Sequence, residues 1–203
     1  MPSFDPAAPL VHPLPDSERV ELRPGLVYVE AGGRELAMDL YLPADRAPGS
    51  RLPAVLLVHG EAPPQVLRGV RGWGQYTGWG RLLAGEGLVG LAVEHHAVAE
   101  VGFEGAVAEV GAALAAARDR ASELGLDPNA ALPPLLVVRA GRDRLALNRT
   151  IEEFVTAAEA RRLPIELVDH PDGHHAFDVL DDTDASRDAI RRVLAFLREH
   201  LTA

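Results

Sequence analysis

Apolar and polar positions along the 203 residues repeat with two periods. Residues 21–30 (ELRPGLVYVE) and 35–42 (ELAMDLYL) alternate, the second at Leu36, Met38, Leu40 and Leu42, and Ala31-Gly32-Gly33 separates them. This predicts an antiparallel hairpin. Residues 54–59 (AVLLVH), 88–93 (LVGLAV) and 134–138 (PLLVV) are short continuous apolar runs. A strand buried on both faces has this pattern. Residues 164–168 predict a further strand, and 43–53 and 63–72 read as loops.

A helical period appears between the strands. It predicts a helix over 76–83 that stops near Gly85 and Gly87. A second covers 104–124, with Val107, Val110, Leu114, Ala117, Ala121 and Leu124 on its buried face and Gly125 and Pro128 ending it. A third covers 151–161, burying Ile151, Phe154, Val155 and Ala158, with Thr150 and Glu153 as a capping box. The last covers 185–201, burying Ile190, Val193, Leu194, Leu197 and Leu201. Acidic Asp181, Asp182 and Asp184 suit its N-terminus, where negative charge meets the positive end of the helix dipole. Trp73 and Trp79, set among glycines, read as packing anchors.

Strands alternating with helices predict an α/β fold: a mostly parallel sheet with an N-terminal antiparallel hairpin and helices on both faces. Residues 1–18 hold Pro2, Pro6, Pro9, Pro13 and Pro15 and read as an extended arm, with 19–203 as a single domain. The formal net charge of −10 argues against nucleic acid, because phosphate binding needs clustered Lys and Arg. With no cysteine there is no disulfide, thiolate metal site or Cys nucleophile. No apolar run approaches the ~20 residues of a membrane helix. The proline-rich start lacks the pattern of a secretory signal. A cytoplasmic protein without membrane contact or cofactor is expected.

Ligands of parallel sheets bind at the carboxyl ends of the strands. Three predicted strand ends carry polar groups of catalytic type: His59-Gly60-Glu61, Gly141-Arg142-Asp143, and the run HPDGHHAFD from His170. Together they carry a resemblance. Residues 53–60 look like the oxyanion strand of α/β-hydrolases, and LLVVRAGRDR looks like the strand whose loop holds the triad acid. HPDGHHAFD is similar to the histidine loop of the dienelactone hydrolase and esterase branches. The resemblance spans residue 19 to the C-terminus and implies a carboxylic-ester hydrolase of a small ester-like substrate. It implies Asp143 as the acid that orients the imidazole, His175 as the general base rather than His174, and the Glu61 N–H as an oxyanion donor with Gly60 allowing close approach. Glu61 departs from the usual glycine.

The nucleophile elbow of that family, G-x-S-x-G, is missing. After Leu124-Gly125-Leu126-Asp127-Pro128-Asn129, only Ala130 and Ala131 precede Leu132-Pro133-Pro134. Roughly 50 residues of strand, helix and strand are lost relative to the family pattern. Ser3, Ser17, Ser50, Ser122 and Ser186 all lie outside an elbow context. The sequence therefore predicts a reduced α/β-hydrolase fold with weak or no turnover. Runs 54–59 and 134–138 are then free to pair directly, and the uncovered apolar surface favours a homodimer. Alternatives remain. One is a non-catalytic pseudo-hydrolase that binds a small molecule or protein. Another is a shortened form of an active relative. A third is a metal site drawn from His59, His95, His96, His170, His174 and His175 with Glu94 and Asp143.

Overall fold

The computed structural model describes residues 5–129 and 134–201. The junction at Ala130 and Ala131 lies outside the described residues, as does Ser3. The described residues form two compact units, one within 1–8 and 14–130 and the other within 9–13 and 131–203.

The first unit is built on a four-stranded sheet in the order β1-β2-β4-β3. Strands β1 (Val20–Ala31) and β2 (Arg34–Pro43) form the predicted hairpin around Gly32 and Gly33, which both have positive φ. β3 (Ala54–Leu57) runs parallel to β4 (Val89–Val93), and β2 joins β4 antiparallel. Four elements lie in or around this sheet's connections. They are α1 (Pro64–Leu67) and a 3-10 turn at Val70–Gly72, both in a stretch expected to be loop, then α2 (Gly74–Gly85) and α3 (Val98–Asp119), which is kinked at Gly102. α4 (Ala121–Leu124) follows and ends at Gly125 in the left-handed conformation.

The alternating pattern of β2 predicts one wet face, yet both of its faces are buried. Met38, Leu40 and Leu42 pack with Leu91, Val93, Ala113 and Ala117, so this side of the sheet meets α3. On the opposite face Tyr41 packs with Ala84 and Ala92. That approach depends on glycine. A Cβ at Gly80 in α2 would lie 2.4 Å from the Tyr41 ring, and one at Gly90 in β4 would lie 2.9 Å from the Gly80 Cα.

The buried face of α3 and α4 is the expected one at Ala117, Ala121 and Leu124 and differs upstream. Ala106, Glu109, Ala113 and Ala117 are buried, whereas Val107 and Leu114 are exposed. Small side chains let the helix approach the sheet closely, and Glu109 is drawn inward by His96. The bulkier stripe is left beside that face, with Phe103 at 72 % exposure.

The second unit holds a parallel two-stranded ladder of β5 (Leu135–Ala140) and β6 (Ile165–His170), in register from Leu135–Ile165 to Ala140–His170. The expected single, mostly parallel sheet is described as two ladders, and in the four-stranded one only β3–β4 is parallel. α5 (Leu145–Ala160) links β5 to β6, followed by α6 (Phe177–Leu180) and α7 (Asp184–Leu201). α5 starts earlier than expected. Thr150 does not cap it but donates its hydroxyl to the Ala146 carbonyl one turn back. Val155 and Ala158 are buried as expected, while Phe154 is half-exposed. α7 buries Ile190 and Leu194 together with Phe196, which the period did not single out. Part of the N-terminal arm belongs to this unit. Leu10 is buried, and the Val11 N–H donates to the Asp178 carbonyl.

Substituting Gly80→Ala forces the Tyr41 ring or α2 to move. The expected cost is about 1–3 kcal/mol, the range for overpacked cores, read as a lower urea midpoint at unchanged slope.

Candidate active site

Asp143 follows β5 and His175 follows β6, so the ladder sets both loops side by side. One carbonyl ties them. The His170 oxygen accepts the N–H of Gly141 and the N–H of Gly173, each at 2.9 Å. The Arg142 N–H then donates to the Gly173 carbonyl at 2.9 Å. Glycine is required where the loops cross, because a Cβ on Gly141 would lie 2.2 Å from the Pro171 carbonyl oxygen. A Cβ on Gly173 would lie 2.7 Å from the His170 ring.

Between these loops His175 donates its Nδ1–H to Asp143 Oδ2 at 2.8 Å. The other oxygen of Asp143 accepts the Arg144 N–H at 2.7 Å, directly before α5. The same carboxylate therefore holds the backbone just before α5 and a histidine. Its side chain is buried to 8 % exposure, whereas that of His175 is 65 % exposed. Burial pushes the Asp143 carboxyl up. The His175 hydrogen bond, the Arg144 N–H and the neighbouring positive charges outweigh burial and hold it below its ordinary value. Asp143 is thus an anion at neutral pH.

The turn after His175 is strained. Ala176 has φ +58 and ψ 39, a left-handed conformation that costs a residue with a Cβ about 1–2 kcal/mol. Phe177 then packs edge-on to His170, with ring centroids 5.1 Å apart.

His174 has its own carboxylate, which sequence reading assigned only to a helix start. Asp181 accepts the His174 N–H at 2.7 Å through Oδ2 and the His174 Nδ1–H at 2.9 Å through Oδ1. Burial pushes Asp181 up, but these two hydrogen bonds and the nearby imidazoles bring it below the ordinary aspartate range. His170 is buried and bonds Ser186 Oγ at 2.9 Å through Nε2, while its Nδ1 is buried without a hydrogen-bond partner. Ser186 is fully buried, so this serine–histidine contact is closed to substrate. No described hydroxyl is hydrogen-bonded to His175.

Gly60 and Glu61 lie beyond β3 in the first unit. A Cβ on Gly60 would meet no atom within 4 Å, so the space over this glycine is open. Glu61 turns its carboxylate onto the start of α3, where Oε2 accepts the Val98 N–H at 2.9 Å. A helix N-terminus stabilises that charge. His59 and His95 buttress the turn by stacking, with ring centroids 3.6 Å apart and planes 9° from parallel. His59 donates Nδ1–H to the Gly60 carbonyl at 2.9 Å and accepts the His95 N–H at Nε2 at 3.3 Å. Burial holds the His59 imidazole below its ordinary value.

His96 is locked by Glu109, which accepts both its backbone N–H and its Nδ1–H at 2.8 Å. Glu94 faces Arg71 and Arg34. Among the described residues no three His, Cys, Asp or Glu side chains gather as a metal would need. No described helix is long and apolar enough to cross a membrane.

The depressed Asp143 value has a sign that can be tested. A carboxyl held low in the folded state contributes stability above its ordinary value of 3.8 and loses it as pH falls through the lower folded value. Asp143→Asn should therefore flatten the acid limb of a stability–pH curve measured by urea denaturation. Parallel acid limbs for the two proteins would contradict the pairing.

No family model matches the chain, and no curated protein matches it. Solved structures do. The thermophilic esterase Est2 of the Planctomycetes species Thermogutta terrifontis, in native form, aligns with a TM-score of 0.69 at 18 % identity, covering 91 % of this chain and 94 % of that one. Its propionate-bound form gives 0.70 at 19 % identity, covering 93 % and 98 %. The form phosphorylated by paraoxon gives 0.65 at 20 % identity over the same shares. At these identities the likeness is one of fold: the chain shares a mixed α/β fold with an esterase.

Proposed function

We propose that this protein is a carboxylic-ester hydrolase by lineage, of the dienelactone hydrolase and esterase branch, in which Asp143 and His175 form the proton-transfer pair. The observation that carries the reading is the 2.8 Å hydrogen bond from His175 Nδ1 to a buried, ionised carboxylate. That bond places the proton on Nδ1 and leaves Nε2 as a base on an exposed ring. By the resemblance described above, the Glu61 N–H is the oxyanion donor.

With no serine in an elbow, the nucleophile in this reading is water. His175 Nε2 takes a proton as the water oxygen adds to the ester carbonyl. It returns that proton to the alkoxide as the carbon–oxygen bond breaks, releasing an acid and an alcohol. Removing the nucleophile from a triad enzyme leaves about 10³–10⁴-fold acceleration over water, so turnover should be slow. The substrate is a small ester, and the protein works without a cofactor, nucleic acid or membrane, in the cytoplasm.

The test pairs p-nitrophenyl acetate hydrolysis with intact mass after incubation with a fluorophosphonate. The expected results are slow hydrolysis that falls to the uncatalysed rate in His175→Ala, and no covalent adduct. Hydrolysis unchanged in His175→Ala would overturn the reading. A stoichiometric adduct would overturn the water mechanism and reveal a nucleophile. Ester binding with no hydrolysis in either protein would favour the non-catalytic pseudo-hydrolase.

A further inference from the structure

The loop between β6 and α7 presents two consecutive histidines, and each has its own aspartate on Nδ1. They differ in what the aspartate does for the backbone. Asp143 holds only the ring of His175, whereas Asp181 holds both the ring and the N–H of His174. His174 and Asp181 stand seven residues apart, so this double bond closes the segment containing His175, the left-handed Ala176 and the single turn of α6.

We infer that Asp181 is a positioning residue for His175: by clamping His174 at its ring and its backbone N–H it fixes the Gly173–His174 peptide, one residue before His175, and so sets the direction of the His175 ring toward Asp143. This rests on the Asp143–His175 reading given above.

Three observations converge. The backbone at Ala176 is strained, and a strained turn persists only when its surroundings hold it. α6 is a single turn of four residues, too short to fix the loop by itself. The Asp181 side chain is 15 % exposed and its carboxyl is stabilised as an anion, so the clamp is engaged at neutral pH. Upstream the loop is anchored through the Gly173 N–H on the His170 carbonyl. Asp181 supplies the downstream anchor. A catalytic imidazole needs both, because misplacement by about 1 Å costs on the order of 10²-fold in rate.

The readout is the tautomer of each imidazole in full-length protein, taken from nitrogen-15 shifts after histidine labelling. In the wild type, His174 and His175 should both carry the proton on Nδ1. In Asp181→Ala, His174 should lose that preference and His175 should lose it too, with ester hydrolysis falling at least tenfold. In Asp181→Asn, which keeps one oxygen for the His174 N–H, the His175 change should be smaller. If Asp181→Ala unfolds the chain, the Asn variant alone decides between a shifted and an unshifted His175. A His175 tautomer unchanged in both variants, while Asp143→Ala changes it, would overturn the positioning role and leave the pair intact. A His175 tautomer unchanged in Asp143→Ala would instead overturn the pair itself.

Discussion

The arrangement around His175 depends on one backbone oxygen. A carbonyl has two lone pairs, and that of His170 uses both, accepting the Gly141 N–H from the loop after β5 and the Gly173 N–H from the loop after β6. The parallel ladder brings the strand ends level, with Ala140 opposite His170 as the last pair. The shared oxygen carries that alignment on to Gly141, one residue past β5, and Gly173, three past β6. Asp143 and His175 are 32 residues apart in sequence, and their contact follows from this crossing. The glycines at 141 and 173 are there because the crossing leaves no room for a Cβ.

His59, His96, His174 and His175 are held by carboxylates or by backbone, and the choice fits their surroundings. Buried His96 takes Glu109, and the exposed rings of His174 and His175 take Asp181 and Asp143. Buried His59 has no carboxylate, and desolvation depresses it. It is satisfied by the Gly60 carbonyl and the His95 N–H, which suit the neutral ring. A histidine whose folded value is depressed costs stability as pH falls, so His59 and Asp143 both favour the folded state toward neutral pH. Glu61 follows the same economy of charge, since its carboxylate meets the start of α3.

Much of this was legible in the sequence, and the exceptions share a cause. Every described strand was visible as an apolar run or an alternation, but burial on both faces, expected of three runs, holds for β4 alone among them, while β3 and β5 are mostly half-buried. Asp143 and His175, singled out by the family resemblance past two such runs, stand hydrogen-bonded to each other. The faces of α3 were misread because Val107 and Leu114 are the more apolar stripe, whereas closeness of approach selects alanine and one glutamate selected by His96. The start of α5 was misread because Thr150 satisfies its hydroxyl inside a helix as readily as at a cap. Asp181 was legible as a charge near a helix start, but its double hold on His174 depends on a loop closure that no spacing rule encodes.

The shared carbonyl is the central claim, and native-state amide exchange tests it most directly. Backbone hydrogen bonds that open only with the strands around them exchange slowly and together. The account predicts that the Gly141 and Gly173 amides are protected to the same degree as the amides at the C-terminal end of β6, and that they open in one step. Exchange of either glycine at the rate of a free loop amide would contradict it, and with it the placement of Asp143 against His175.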